Sequence, residues 1–168
     1  MELYLIRHGI AVERGIYAND AERPLTGKGR QKTQKVAQRL YDMGLRLDLI
    51  LTSPLIRAFQ TAEILQNVGL TQQVEESSHL APEGNIQDWL SWLSQWRNSS
   101  PEKYLALVGH QPNLGDWAEL LVWGNITGQI RVKKAGVIGL NLPNTGTPIG
   151  NSELFLLTSP KYLLINKG

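Results

Sequence analysis

Short apolar runs, each followed by a polar turn and a stretch of helical spacing, set the rhythm of this chain. Leu3-Tyr4-Leu5-Ile6 reads as a buried strand, and the polar segment from Ala11 to Glu22 reads as a loop crossing above it. Arg23-Pro24-Leu25-Thr26 then leads into a helix from about Lys28 to Met43, where Thr33, Val36, Ala37, Leu40 and Tyr41 recur at helical spacing. Thr26 is its expected amino cap and Gly44 its end. Asp48 to Thr52 is a second short strand. Ser53-Pro54 has the cap-then-proline order of a helix start, continued by Arg57, Ala58, Thr61, Ala62 and Leu65. Residues Thr71 to Asn85 show no period and are expected to be irregular, with an amphipathic helix from Ile86 to Trp96 after them. Tyr104 to Val108 is the third strand, turned by Gly109-His110-Gln111-Pro112 into a helix that reaches about Trp123. Gly136 to Leu142 and Glu153 to Leu157 are the last expected strands. Strands that alternate with helices predict an α/β fold: a three-layer sandwich with a mainly parallel central sheet flanked by helices.

Composition narrows the picture. At 168 residues the chain fits a single domain, 1–168, able to bury a core without disulfides or a structural metal. It contains no cysteine, which excludes thiol catalysis and Cys-type zinc sites and is compatible with a cytoplasmic location. The amino terminus enters a strand at once, and no stretch reaches the length of a membrane span. A net charge of +2 gives no argument for nucleic acid, and no repeat or nucleic-acid module is present.

The chemistry-bearing residues fall at strand ends. Arg7-His8-Gly9 closes the first strand, Arg57 lies in the first helical turn after the second, and His110 follows the third. In a parallel sheet these ends share one edge, where ligands bind. Arg57 and His110 also lie near helix starts, whose free N–H groups favour an anion. A unit charge pair at about 4 Å is worth up to roughly 4 kcal/mol at an effective dielectric near 20, so two arginines favour a phosphoryl group over a neutral ligand. The same positive field disfavours protonation of His8 and leaves a lone pair able to attack phosphorus.

With Leu5-Ile6-Arg7-His8-Gly9, Arg23-Pro24-Leu25-Thr26 followed by Gly29, Ser53-Pro54 with Arg57 and Gln60-Thr61-Ala62, Leu80 to Gly84, and Val108-Gly109-His110-Gln111-Pro112 in this order, the chain resembles the histidine phosphatase (phosphoglycerate mutase-like) superfamily. Within it, the small SixA-type phosphohistidine phosphatases are the most similar. The resemblance covers nearly the whole chain. It implies His8 as the phosphorylated nucleophile, with Arg7, Arg57 and His110 around the phosphoryl group, and no metal or cofactor. It also implies a phosphohistidine-containing protein of the histidine phosphotransfer type as substrate. The pattern departs from many mutases and small-molecule phosphatases of the superfamily: Ile10 stands where they carry a polar residue, and their tryptophan-asparagine pair is missing. The usual general acid would fall near Leu80 to Gly84, where Glu83 is the sole carboxylate. Arg23 could reach the phosphate rim or fix the loop.

Other residues carry blander readings. His79 is expected in a solvated loop, since no second histidine or acidic cluster has metal-ligand spacing. Trp89, Trp92, Leu93 and Trp96 share a helical face that reads as core packing. Lys28, Arg30, Lys32, Lys35 and Arg39 read as a solvated helix face. Two functional alternatives stay open: a phosphatase or mutase for a small metabolite such as a phosphosugar, and a non-catalytic phosphoprotein-binding module.

Overall fold

The computed structural model describes residues 1–99 and 103–165. Alternation in the first strand, β1 (Glu2–Arg7), divides the interior in two: Leu3 and Leu5 belong to one buried cluster, Tyr4 and Ile6 to the other. The remaining strands are β2 (Leu49–Thr52), β3 (Val74–Glu76), β4 (Tyr104–Gly109), β5 (Val137–Asn141) and β6 (Glu153–Thr158). They form one sheet in the order β3-β2-β4-β1-β5-β6. The first four of that order are mutually parallel, while β5 runs antiparallel to β1 and β6 antiparallel to β5. The fold is thus α/β, with a mostly parallel sheet between two helical layers.

One layer comprises α1 (Gly27–Asp42), α2 (Ile56–Val68) and the single turn α5 (Pro160–Leu163). Val36, Ala37 and Leu40 of α1 and Ala58, Ala62 and Leu65 of α2 pack there with Tyr4 and Ile6. The opposite layer comprises α3 (Ile86–Arg97) and α4 (Asn113–Trp123), which bring Trp89, Leu93, Leu114 and Trp117 onto Leu3 and Leu5. Each fully buried leucine contributes about 1.5–3 kcal/mol, so both faces are needed to hold the sheet. On α3, Trp89 and Leu93 are buried and Trp92 and Trp96 stack on each other half-buried at their edge, which is the core packing that the spacing predicts.

The amino end of α1 is tied to the residues after β1. Thr26 Oγ1 accepts from Gly29 N at 2.9 Å, the expected cap, and Thr26 N donates to Ile10 O at 2.9 Å. Gly29 lies so close to that segment that a Cβ would stand 2.0 Å from the Ile10 carbonyl oxygen. Only glycine fits this approach.

Three expectations need correction. Ser53 does not cap α2, whose amino cap is Leu55 without a side-chain bond; Pro54 disfavours a helical conformation at Ser53, and the Ser53 hydroxyl accepts from Leu55 N in the turn and contacts His110. Val74–Glu76 is a strand within the stretch expected to be irregular, too short and too exposed to show a period. His79 is half-buried in a single 3-10 turn, Ser78–Leu80, rather than solvated.

Candidate active site

Because β2, β4 and β1 are adjacent and parallel, their carboxyl ends lie side by side: Arg7 is paired with Gly109, and Thr52 with Val108. The residues just beyond those pairs, His8, Ser53 and His110, are therefore neighbours. The rings of His8 and His110 have centroids 5.2 Å apart. Both histidines are buried to 5% exposure, at the wall of a cavity of about 750 Å³ that Arg7, Arg23 and Arg57 also line.

Each imidazole has a defined partner. His8 Nδ1 donates to Gly9 O at 2.7 Å; a carbonyl oxygen only accepts, so the neutral ring carries its proton on Nδ1 and its lone pair on Nε2. Gly9 N in turn donates to Thr61 Oγ1 at 3.0 Å, and that hydroxyl donates to Arg57 O at 2.8 Å, which locks the turn onto α2. His110 Nε2 lies 2.8 Å from Ser53 Oγ, which also accepts from Leu55 N at 3.3 Å. Ser53 belongs to the site, although its place before a proline reads in sequence as a helix cap.

The arginines are fixed by backbone oxygens and one carboxylate. Arg7 Nη1 donates to Val132 O at 3.1 Å. Arg57 donates through Nη1 to Asp20 O at 2.9 Å and through Nη2 to Asp20 Oδ2 at 3.1 Å. Arg23 Nε donates to Asp20 Oδ1 at 2.8 Å and its Nη1 to Val12 O at 2.6 Å, so Arg23 both fixes the loop and lines the cavity. Among the described residues, Nε of Arg7 and Nε of Arg57 are buried and make no hydrogen bond within the protein. Each unpaired buried donor carries a desolvation cost of about 1–3 kcal/mol.

Electrostatics keeps the imidazoles neutral. Burial first, then His110, Arg57 and Arg7, push the His8 pKa down to about 3 against the opposing pull of Gly9 O. Burial and Arg57 likewise push His110 down to about 4. Asp20 is held below the usual carboxylate range, first by its bond from Arg23 and then by the charge of Arg57, with its partial burial opposing both.

The structure thus brings together Arg7, His8, Arg57, His110 and Arg23. Glu83 is exposed and does not line the cavity, although its neighbour Pro82 does; the carboxylates at its wall are Glu13 and Asp20. Both come from the loop after β1, whose path no periodicity encodes. Lys134 is a further lining residue. It belongs to a strap, residues 132–136, held to the end of β1 by Ala135 N, which donates to Arg7 O at 3.1 Å and His8 O at 3.2 Å. Among the described residues no group of three or more His, Asp or Glu could hold a metal ion, and no helix is long and apolar enough to cross a membrane.

A family profile described as the histidine phosphatase superfamily (branch 1) matches residues 3–114, the span that runs from β1 through His110 into α4. The chain belongs to this superfamily. An uncharacterised protein of Picosynechococcus is 50% identical over 165 residues, 98% of this chain and 99% of that protein. The phosphohistidine phosphatase SixA of Escherichia coli is 28% identical over 116 residues, covering 68% of this chain and 70% of SixA. A solved structure of the protein histidine phosphatase SixA complexed with tungstate superposes with a TM-score of 0.84 at 24% identity, over 97% of this chain and 99% of that one. The superfamily makes the chain a phosphatase-type hydrolase, and SixA is a near structural relative.

Proposed function

We propose that the protein is a metal-independent phosphohistidine phosphatase acting on a protein substrate in the cytoplasm through a covalent intermediate at His8. The observation that carries this reading is the His8 ring itself, buried beside His110 with Nδ1 committed to Gly9 O and the Nε2 lone pair left for attack. In the first step His8 Nε2 attacks phosphorus in line, the bond from phosphorus to the substrate imidazole breaks, and that imidazole departs with its ring proton. Arg7 and Arg57, whose side chains line the cavity, bind the equatorial oxygens through their guanidinium groups. The 2.8 Å contact between His110 Nε2 and Ser53 Oγ orients the His110 ring toward the same oxygens. Water then attacks phosphorus, releases inorganic phosphate and restores His8. The tungstate held by SixA is a tetrahedral oxyanion of the kind this pocket suits.

Phosphohistidine also fits the position of Glu83, the carboxylate expected as acid, outside the cavity, and the engagement of the wall carboxylate Asp20 by Arg23 and Arg57. Its leaving imidazole has a reference pKa near 6.5 and can leave protonated, whereas an alkoxide from a sugar phosphate needs a proton donor whose absence costs roughly a hundred- to ten-thousandfold. The test is a ratio of specificity constants on a phosphorylated histidine-phosphotransfer protein and on sugar phosphates, together with trapping of labelled phosphate on the enzyme. A preference for the phosphoprotein, and label lost in His8→Ala, is expected. A preference for the sugar phosphates would give the reaction to a small-metabolite phosphatase, and label retained in His8→Ala would remove the nucleophile.

A further inference from the structure

Beside the catalytic cavity lies a second hollow of about 500 Å³, whose wall includes Arg7, Lys32, Lys133, Lys134 and Lys161 and no carboxylate. Arg7 and Lys134 line both spaces, so the two are joined along a common wall. The cations arrive from four separate parts of the fold: β1, α1, the 132–136 strap and α5. They are therefore not the ordinary solvated face of one helix. Among the described residues, none of the five forms an ion pair with an acidic side chain. The whole chain carries a net charge of only +2, so this grouping concentrates positive charge at one place and pays for it in mutual repulsion. Burial, and then the nearby Arg7 and Arg23, hold the Lys134 pKa below its ordinary value, a sign of how strongly these groups feel one another.

We propose that this hollow docks carboxylate side chains of the phosphorylated protein, gripping an acidic stretch of its surface while the phosphoryl group enters the catalytic cavity. The inference rests on the phosphohistidine reading of the site. Charge complementarity selects the occupant, and the common wall selects its position: a ligand reaching both spaces presents anionic groups beside its phosphoryl group. No aromatic side chain lines the hollow, so it offers no platform on which nucleic-acid bases could stack. Lys32, half-buried on the otherwise solvated basic face of α1, acquires a role here that its helix alone does not suggest.

The test compares two substrates. One is a phosphorylated histidine-phosphotransfer protein with acidic residues flanking its phosphohistidine; the other is phosphoramidate, which offers the same phosphorus–nitrogen bond without a protein surface. The variant is Lys133→Glu with Lys161→Glu, two exposed residues outside the catalytic cavity. The KM for the phosphoprotein is expected to rise about tenfold or more and its dependence on salt to flatten, as for loss of exposed ion pairs at an interface. Constants for phosphoramidate are expected to stay within about twofold, and Lys133→Arg with Lys161→Arg to behave as wild type. An unchanged KM for the phosphoprotein, or an equal loss on phosphoramidate, overturns the docking role while leaving the phosphatase reading in place. A wild-type enzyme that ignores the phosphoprotein but hydrolyses sugar phosphates overturns both.

Discussion

Acidification from pH 7 to pH 5 should weaken the fold by an amount that His8 and His110 largely determine. In the folded protein their pKa values are depressed to about 3 and about 4, whereas an unfolded chain titrates its histidines at the ordinary value of 6.5. Below pH 6.5 the unfolded state therefore binds protons that the folded state refuses. Stability supplied by the neutral rings is fully present above 6.5 and is lost as pH falls from there toward 3 to 4. At about 1.4 kcal/mol per pH unit for each ring, the step from pH 7 to pH 5 removes about 2 kcal/mol per histidine and about 4 kcal/mol for the pair. Urea unfolding at the two pH values measures this directly, and His8→Gln with His110→Gln serves as the reference because glutamine does not titrate. Wild type should lose about 4 kcal/mol more than this variant, a difference in which all other titrating groups cancel. Proton NMR of the free enzyme should show no inflection of either ring between pH 5 and 8. An inflection near 6.5, or equal losses in the two proteins, refutes the argument that burial and the surrounding arginines keep these rings neutral. The functional counterpart is large: at pH 5 an ordinary histidine is only about 3% neutral, whereas a ring with a pKa near 3 remains almost wholly so.

Other perturbations separate the parts of the site. Arg57→Lys should lower kcat/KM by about a hundredfold or more despite the retained charge, because a lysine cannot present the planar set of donors that Arg57 divides between Asp20 and the cavity; near-native steady-state constants would contradict this. Ser53→Ala should lower kcat about three- to tenfold and cost about 1–3 kcal/mol in urea, because it leaves His110 Nε2 and Leu55 N without their buried partner, and Ser53→Thr should recover part of both losses. Gly29→Ala should destabilise the protein by about 2–4 kcal/mol in urea, since the added methyl meets backbone rather than a movable side chain; unchanged stability would mean that α1 can shift away from Ile10.

How much of this was legible in the chain follows from where each residue sits. His8, Arg57 and His110 could be found because each follows an apolar run with a clear period, and a parallel sheet gathers such ends along one edge. Asp20 could not, because it reaches Arg57 from a loop 37 residues earlier whose course is set by hydrogen bonds such as Arg23 to Val12 O rather than by a repeating pattern. Ser53 reads as a cap for a local reason, because serine before proline has the composition of one, and only the three-dimensional approach of His110 shows what its hydroxyl meets. Glu83 stands out in sequence as the one carboxylate in its segment, but the chain presents Pro82 to the cavity and leaves Glu83 in solvent. The basic hollow combines residues from distant segments, which no local window of sequence connects.

The strap at 132–136 has a consequence for how such a site can diversify. Its grip on the end of β1 runs through main-chain groups, Ala135 N to the carbonyls of Arg7 and His8, and through the Val132 carbonyl that receives Arg7. The side chains of Lys133 and Lys134 take no part in that grip and are exposed. The identity of these two cavity-lining side chains is thereby uncoupled from the placement of His8. Exchanging these two lysines for acidic, neutral or apolar residues would redraw the charge around the cavity while His8 keeps its position, giving the fold a place where ligand preference can change without moving the residues at the strand ends.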